Sequence, residues 1–254
     1  MMLEIAANSI ASALAAQEGG AGRVELCTAL ELGGLTPSHA QVALARDRLR
    51  IPLYVLIRPR AGDFLYSELE CETMLRDIET CVALGCDGVV LGVLDAEGDV
   101  DMPRCRALMA AAGRLGVTFH RAFDLSRDPM RALEDIVELG CERVLTSGAQ
   151  TSAIEGAALI RDLVTQANGR LTVMPGAGVT VQNIAALAAA TGAHEFHASA
   201  KRQLPSGMQH RQALLPEMQG GELSSDVDQV RALATVLGTG SAHPPAKQGE
   251  AGRG

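Results

Sequence analysis

The chain repeats one local pattern, in which a helical stretch ends in glycine and a short run of apolar residues follows a few residues later. Glycine suits the position after a helix because it enters the left-handed region of backbone space without strain. The apolar run is typical of a strand that is buried in a parallel sheet. The pattern occurs in GGAGRVELC (19–27), LGCDGVVLG (84–92), LGCERVLTSG (139–148) and TGAHEFHAS (191–199).

Eight strand candidates of this kind are found, and a helical stretch follows each of them. They lie near residues 3–6, 23–27, 51–58, 88–93, 117–122, 143–147, 171–175 and 194–198. Eight β–α units in a chain of 254 residues predict an α/β protein with a single-domain (β/α)8 TIM barrel. A doubly wound open sheet is the alternative, because it is assembled from the same units.

Four helix starts carry capping signals. Two have a capping side chain directly before a proline, and two have a serine with a glutamate three residues later. They are Thr36-Pro37, Asp128-Pro129, Ser67 with Glu70, and Ser152 with Glu155.

The barrel domain is expected over residues 1–238. Within it, residues 200–225 follow the last predicted strand as a long polar connection, which indicates either a lid or a disordered loop. Residues 239–254 lack hydrophobic periodicity and predict a disordered C-terminal tail.

The composition argues against nucleic-acid and membrane partners. The net charge is −8, whereas a nucleic-acid interface needs a basic surface. No apolar run reaches the length of a membrane span, and the N-terminus MMLEIAANS lacks the basic region of a signal peptide. The six cysteines are scattered and include no C-x-x-C pair, so reduced thiols in the cytoplasm are expected.

Charged side chains stand where several predicted strands end. In a (β/α)8 barrel the C-terminal strand ends form the mouth that carries the chemistry. His120 ends the strand of VTFHRAFD (117–124), and because side chains alternate along a strand it shares the inner face with Thr118. Ion pairs that only fill the barrel interior are the alternative interpretation. The candidate catalytic residues at this mouth are Glu4, Glu25, Arg58, His120 and His197.

The segment MPGAGVT (174–180) predicts an anion site. Gly176 and Gly178 allow a ligand to approach the backbone closely, and a helix expected to open at Thr180 would present free N–H groups. Barrels of this type often bind phosphate with the loops after strands 7 and 8. A plain glycine turn is the alternative. Arg60 and Ser199 complete the candidate anion-binding set with the two glycines.

Cys27 differs from the other cysteines because it ends a strand at the predicted mouth. A soft Cu(I) site needs two or more sulfur ligands close together, and Met174 is the candidate partner in the fold. The remaining cysteines are expected to be small buried apolar side chains. They are Cys71, Cys81, Cys86, Cys105 and Cys141.

Seven segments together resemble the CutC family, in order and as far as about residue 200. This resemblance implies a TIM barrel, a cytoplasmic protein, a homodimer and a role in copper homeostasis with copper ion binding. Two positions differ from the family, since Ala6 and Ala7 stand where some members have a cysteine pair. The segments are RVELCTALELGGLTPS (23–38), IRPRAGDFLYS (57–67), VDMPR (100–104), VTFHRAFD (117–124), RVLTSG (143–148), GAGV (176–179) and EFHAS (195–199).

Two functions are therefore expected, with a non-catalytic scaffold as a third alternative. The first is copper handling, with Cys27, His120 and His197 as metal ligands. The second is a lyase-type or isomerase-type enzyme for a small anionic or phosphorylated substrate. In that enzyme Glu4 or Glu25 would be the general base, His120 the acid or electrophile, and Arg58 the group that holds the anion.

Overall fold

The computed structural model describes residues 1–215 and 219–238. Its central sheet has eight parallel strands in the order β7-β6-β5-β4-β3-β2-β1-β8. Since the first strand pairs with the last, and β7 lies against β8, the sheet curls into a nearly closed barrel. The predicted TIM barrel is confirmed, and the open-sheet alternative is wrong. The strands are β1 Met2–Ala7, β2 Arg23–Leu26, β3 Leu53–Leu56, β4 Gly88–Leu91, β5 Gly116–Phe119, β6 Arg143–Thr146, β7 Thr172–Pro175 and β8 Glu195–Ala198.

Helices surround the barrel. Within the described residues, none of them combines the length and the hydropathy needed to cross a membrane. Short 3₁₀ turns at Leu30–Leu32 and Arg121–Leu125 follow β2 and β5. The helices are α1 Ile10–Glu18, α2 His39–Arg48, α3 Glu68–Ala83, α4 Met102–Ala112, α5 Pro129–Leu139, α6 Ala157–Ala167, α7 Ile184–Thr191 and α8 Val227–Val236.

Two of the predicted helix starts are confirmed. Ser67 forms a capping box with Glu70 at the start of α3, and the Asp128 side chain accepts from two backbone N–H groups of α5. Both caps satisfy donors that a helix leaves unpaired in its first turn.

Three other starts lie further along the chain than predicted. Ser38 caps α2, because the Thr36 hydroxyl instead accepts a backbone N–H group that follows β3. Ser152 precedes a turn rather than α6, and Asn183, not Thr180, precedes α7. In each case a turn separates the strand end from the helix. The residues that predicted a helix start therefore belong to this turn.

The main core lies between the barrel and the helices. Alternate residues of the strands, such as Leu3 and Ile5 of β1, point outward and are fully buried there. The barrel interior holds a second, smaller apolar cluster that includes Cys27, Leu56 and Val90. The barrel interior therefore holds apolar side chains beside buried charged ones, such as Glu4 and Glu25.

Charged groups also close the barrel at the N-terminal ends of its strands. Arg23 donates to Glu4 and to Glu195, and Arg143 donates to Glu195 at 3.2 Å. Both guanidinium carbons lie 5.1 Å from the centre of the Tyr54 ring. In this set, which we call the barrel floor, the charged groups form ion pairs with one another.

Residues 200–225, for which the sequence predicted a long polar connection, contain an antiparallel hairpin. Its strands are β9 Lys201–Leu204 and β10 Glu222–Ser225. The Ser225 N–H group donates to the Ser12 hydroxyl on α1 at 3.0 Å, and Arg202 pairs with Asp226 at 2.8 Å. These contacts join distant parts of the chain, so the local sequence does not reveal them. The predicted tail, residues 239–254, lies outside the described residues.

Candidate functional site

A cavity of about 310 Å³ opens at the mouth of the barrel. It brings together Glu25, Cys27, Arg58, His120 and His197, which the sequence had placed there from four different strand ends. Apolar side chains form most of the remaining wall, as is usual for small-molecule sites. They include Leu30, Leu32, Leu56, Phe64, Leu125 and Leu145.

Glu4 lies directly behind the cavity wall and is fully buried. Its Oε1 atom is 2.7 Å from His197 Nδ1, and its Oε2 atom accepts from Arg23. Burial alone would raise the pKa of the Glu4 carboxyl, but Arg23 and His197 outweigh burial and lower the pKa to about 2. Glu4 is therefore a fixed negative charge at neutral pH.

Glu25 has the opposite electrostatic setting. Burial and the nearby Glu4 charge raise the pKa of its carboxyl to about 7, although His197 and Arg23 oppose the shift. Its Oε2 atom is buried and has no hydrogen-bond partner among the described residues. A carboxyl that titrates near neutral pH and has a free oxygen at a cavity is suited to proton transfer.

His197 stands between these two carboxyl groups. Its Nδ1 atom lies 3.6 Å from Glu25 Oε2 as well as 2.7 Å from Glu4 Oε1. Burial lowers the pKa of the imidazole, but Glu25 and Glu4 outweigh burial and raise it. The three residues form one proton-sharing group, which we call the Glu–His–Glu cluster.

His120 has a different protonation state. Burial, and then the Arg58 charge, lower the pKa of its imidazole to about 3, so the ring is neutral. Its Nδ1 atom accepts the N–H group of Ala122 at 3.2 Å, which leaves the proton on Nε2. Nε2 is buried and has no partner among the described residues. His120 therefore offers an unused N–H donor.

The His120 ring is held from two sides. The Phe64 ring centre lies 4.9 Å from it, and a Cβ atom placed on Gly92 would stand 2.6 Å from its Nδ1 atom. Glycine at position 92 thus makes room for the ring. Neither contact was evident in the sequence.

Arg58 lines the cavity, but most of its N–H groups donate to the loops around the mouth. Its terminal nitrogens donate to the carbonyl groups of Leu32, Gly34 and Gly62 at 2.8–2.9 Å. Only Nε is buried without a partner. The predicted anion contact would therefore depend on the Arg58 charge and on one N–H group.

Two charged residues of the cavity wall were absent from the predicted set, Arg121 and Asp124. Arg121 donates to Asp124 at 2.7 Å and to the Ser147 hydroxyl at 2.9 Å, and its side chain is 44% exposed at the rim. Asp124 also accepts from Thr146 and from two backbone N–H groups after β6. Both residues follow His120 within VTFHRAFD, so their place beside the strand end was the available signal.

The predicted anion-binding residues lie outside the cavity wall. Gly176 adjoins it, since a Cβ atom there would meet Leu145 and His197. Gly178 and Ser199 lie further out on the loops after β7 and β8. Within the described residues, the backbone N–H groups of 177–179 donate no hydrogen bond.

Arg60 is the most distant member of the predicted anion set. It pairs with Glu70 and Asp63 at 2.6 and 2.9 Å and donates to carbonyl groups of its own loop. Its charge is therefore balanced within the loop that follows β3.

Cys27 is the single sulfur-bearing residue of the described cavity wall. Burial, and then the charge of Glu25, raise the pKa of its thiol, which keeps it protonated at neutral pH. Met174, the predicted sulfur partner, instead lies against Arg23 at 3.4 Å, deeper in the barrel. The donors present for Cu(I) are thus one thiol and two imidazoles, without the second sulfur that a soft site prefers.

Comparison with known proteins decides the family. The model of the CutC family matches residues 1–202. The chain belongs to the CutC family. A CutC family protein of Xylella fastidiosa (strain Temecula1) is 59% identical over 94% of this chain and 90% of its own length. A CutC family protein of Xanthomonas campestris pv. campestris (strain B100) is 57% identical over 94% and 100%, respectively.

A solved CutC structure agrees with the barrel. The protein from Streptococcus agalactiae, which carries the name copper homeostasis protein CutC, superposes with a TM-score of 0.75 at 34% sequence identity. The match covers 78% of this chain and 97% of the other chain. The resemblance seen in the sequence segments is confirmed as family membership.

Proposed function

We propose that this CutC family protein is a lyase-type or isomerase-type enzyme that moves a proton next to the carbonyl group of a small anionic substrate. One observation carries the proposal. Glu25 Oε2 and His120 Nε2 are both buried, both lack a partner among the described residues, and both belong to the wall of one cavity. Native proteins rarely leave such atoms unpaired without a use.

The two side chains are suited to opposite halves of that reaction. The Glu25 carboxylate would take a proton from the carbon next to the substrate carbonyl, because its pKa of about 7 suits a base at neutral pH. The neutral His120 would donate Nε2–H to the carbonyl oxygen and stabilise the negative charge that develops there. Return of the proton to a neighbouring carbon gives an isomerase. Addition of the same enolate to an aldehyde, whose oxygen takes up a proton and becomes a hydroxyl group, gives a lyase that acts in the direction of carbon–carbon bond formation.

Glu4 and His197 would set the state of the base. The fixed charge of Glu4 holds the His197 ring by a 2.7 Å contact, and His197 Nδ1 lies 3.6 Å from Glu25 Oε2. Glu4 is in this respect a positioning residue, since it lies behind the cavity wall. The nearby His197 imidazole opposes the rise in the pKa of Glu25 and so favours its ionised form.

The anionic part of the substrate would lie towards the rim. Arg121 is exposed there, Arg58 adds a second positive charge, and the free N–H groups of residues 177–179 are near Gly176. Backbone N–H groups of this kind bind phosphate and carboxylate groups. The volume of about 310 Å³ restricts the substrate to a small molecule.

Proton exchange with solvent tests this proposal. Pyruvate and dihydroxyacetone phosphate, as carboxylate and phosphate probes, are incubated with the protein in D₂O and followed by proton NMR. We expect exchange at the carbon next to the carbonyl group, lost in Glu25→Gln and in His120→Gln. A rate equal to that of buffer for both probes would contradict the proposal.

Copper handling is the second candidate function, and the family relation favours it. The Streptococcus agalactiae relative is named for copper homeostasis, and here Cys27, His120 and His197 line one cavity. Thiol and imidazole groups both suit copper. Competition of the reduced protein with a Cu(I) chelator tests this candidate. Tight binding that is lost in Cys27→Ser would support it, and equal affinity of that variant and the parent would exclude this site.

We also propose that the protein is a cytoplasmic homodimer. It would bind a small ligand and would bind neither nucleic acid nor membranes. The scattered cysteines, the net charge of −8 and the family resemblance support it. Size-exclusion chromatography with light scattering gives the oligomeric state, and a monomer would contradict this part.

A further inference from the structure

We propose that the Glu–His–Glu cluster is a binding site for one divalent transition-metal ion of the zinc type. Glu4, Glu25 and His197 each contribute one ligand atom, and these atoms all lie within 4.8 Å of one another. The inference does not depend on the proposed reaction, and an ion at this site would occupy the Glu25 oxygen that acts as the base in that reaction. The donor set contains no sulfur and therefore differs from the Cu(I) site considered above.

The spacing of the ligand atoms suits a small ion. His197 Nδ1 is 2.7 Å from Glu4 Oε1 and 3.6 Å from Glu25 Oε2. Nitrogen and oxygen ligands about 2.0–2.1 Å from a tetrahedral Zn²⁺ are roughly 3.3 Å apart. The third separation, between Glu4 and Glu25, is at most 4.8 Å, so the side chains would move closer together around the ion to bring all three atoms to ligand positions.

An unpaired atom points to a missing partner at this position. Glu25 Oε2 is buried, its residue is only 6% exposed, and it accepts no hydrogen bond from the described residues. A buried carboxylate oxygen without a donor is costly, and a cation would remove that cost. Glu25 and His197 also line the cavity, so an ion and its remaining water ligand have access from the mouth.

The net charge of the cluster and its neighbours is compatible with the binding of a divalent cation. Arg23 occupies only Oε2 of Glu4 and leaves Oε1 to the cluster. With both carboxyl groups ionised and the His197 imidazole neutral, the cluster and Arg23 together carry one net negative charge. The ion would replace the protons that Glu25 and His197 share, so protons and metal compete for the same atoms.

The identity of the donors selects the class of metal. One imidazole and two carboxylates with an open position suit Zn²⁺ and its divalent neighbours, whereas Cu(I) prefers thiolate and thioether ligands. Mg²⁺ and Ca²⁺ prefer all-oxygen sites. Zn²⁺ is therefore the probe of choice.

Calorimetric titration of the full reduced chain with Zn²⁺, at pH 6 and pH 8, tests the site. We expect one equivalent to bind, more tightly at pH 8 because the cluster must lose its protons. Glu25→Gln and His197→Gln should each weaken binding by about 100-fold or more, since even second-layer partners of metal ligands are worth about 10-fold to 100-fold. Zn²⁺ should also raise the Tm of the parent and not of these variants.

Two matched controls share the cavity but lie outside the cluster. Cys27→Ser and His120→Gln should keep the parent affinity for Zn²⁺, and thermal unfolding without metal shows whether each variant is folded. Zn²⁺ binding that folded Glu25→Gln and His197→Gln retain, or no binding at pH 8, would overturn the inference. His120→Gln separates the two proposals, because it should abolish proton exchange in metal-free protein while leaving Zn²⁺ binding intact.

Discussion

Glu4 Oε1 lies 2.7 Å from His197 Nδ1, although 193 residues separate the two positions. Glu4 is on the first barrel strand and His197 is its register partner on the last. The contact therefore exists only when the barrel closes through β1 and β8. Because Glu4 also accepts from Arg23, the state of the cavity histidine depends on ion pairs at the barrel floor.

Replacing Arg23 should be strongly destabilising. Arg23→Met leaves Glu4 buried without its cation, and the loss of one partner of a buried ion pair costs about 3–5 kcal/mol. Urea unfolding followed by circular dichroism measures the free energy of unfolding. Arg106→Met is the control, because Arg106 and Glu138 form an exposed pair and such pairs contribute about 1 kcal/mol or less. Equal losses in both variants would show that the floor pair is not structural.

Adding a methyl group at Gly88 should destabilise the barrel floor by a steric clash rather than by the loss of an ion pair. A Cβ atom there would stand 2.2 Å from the Tyr54 ring, whose hydroxyl is tied to Glu142 at 2.7 Å. The ring has little freedom to move, so we expect Gly88→Ala to cost about 1–3 kcal/mol or more. Gly207→Ala serves as the control, since a Cβ atom at Gly207 would meet nothing within 4 Å. Thermal unfolding that shifts equally in both variants would contradict this account of the packing.

Much of the site could be predicted because it follows from local patterns. A strand end after an apolar run places His120 and His197 at the mouth, and alternation places Glu25 on the inner face. The repeated strand–helix pattern was sufficient for the barrel itself. Such signals depend on neighbours in sequence.

The rest depends on contacts between distant residues. The sequence around Arg60 does not show that the Arg60 side chain will pair with Glu70 and with its own loop. It also does not show that Arg121 will lie on the cavity rim. Likewise, the charge of Glu195 is balanced by Arg23 and Arg143, which belong to other strands. Only the closed barrel decides which charges are paired.

Asp124 should act as the anchor of the loop after β6. It accepts from Thr146, from Arg121 and from the backbone N–H groups of Ser147 and Ala149. In Asp124→Asn one acceptor oxygen becomes a donor, so buried donors lose their partner at a cost of about 1–3 kcal/mol. Hydrogen exchange measures the outcome. We expect faster exchange of the amides at 147–149, with Asp228→Asn on the exposed start of α8 as the control. Unchanged protection at 147–149 would exclude the anchoring role.

The raised pKa of Glu25 should make the stability of the protein fall as the pH rises through neutrality. The native carboxyl titrates at about 7 and its ordinary value is 4.5, so the native state holds this proton more tightly than the unfolded chain does. The resulting stabilisation is complete below pH 4.5 and is lost as the pH rises through 7. From a shift of this size, the free energy of unfolding of the parent relative to Glu25→Gln should fall by roughly 3 kcal/mol between pH 4.5 and pH 8.

Glu4 has the opposite effect on stability, because its lowered pKa gives stability above pH 4.5 that is lost towards pH 2. Urea unfolding at several pH values measures the difference, with the exposed Glu97→Gln as the control. A difference between parent and Glu25→Gln that does not change with pH would mean that the native carboxyl titrates as it does in the unfolded chain, which would contradict the raised pKa of Glu25.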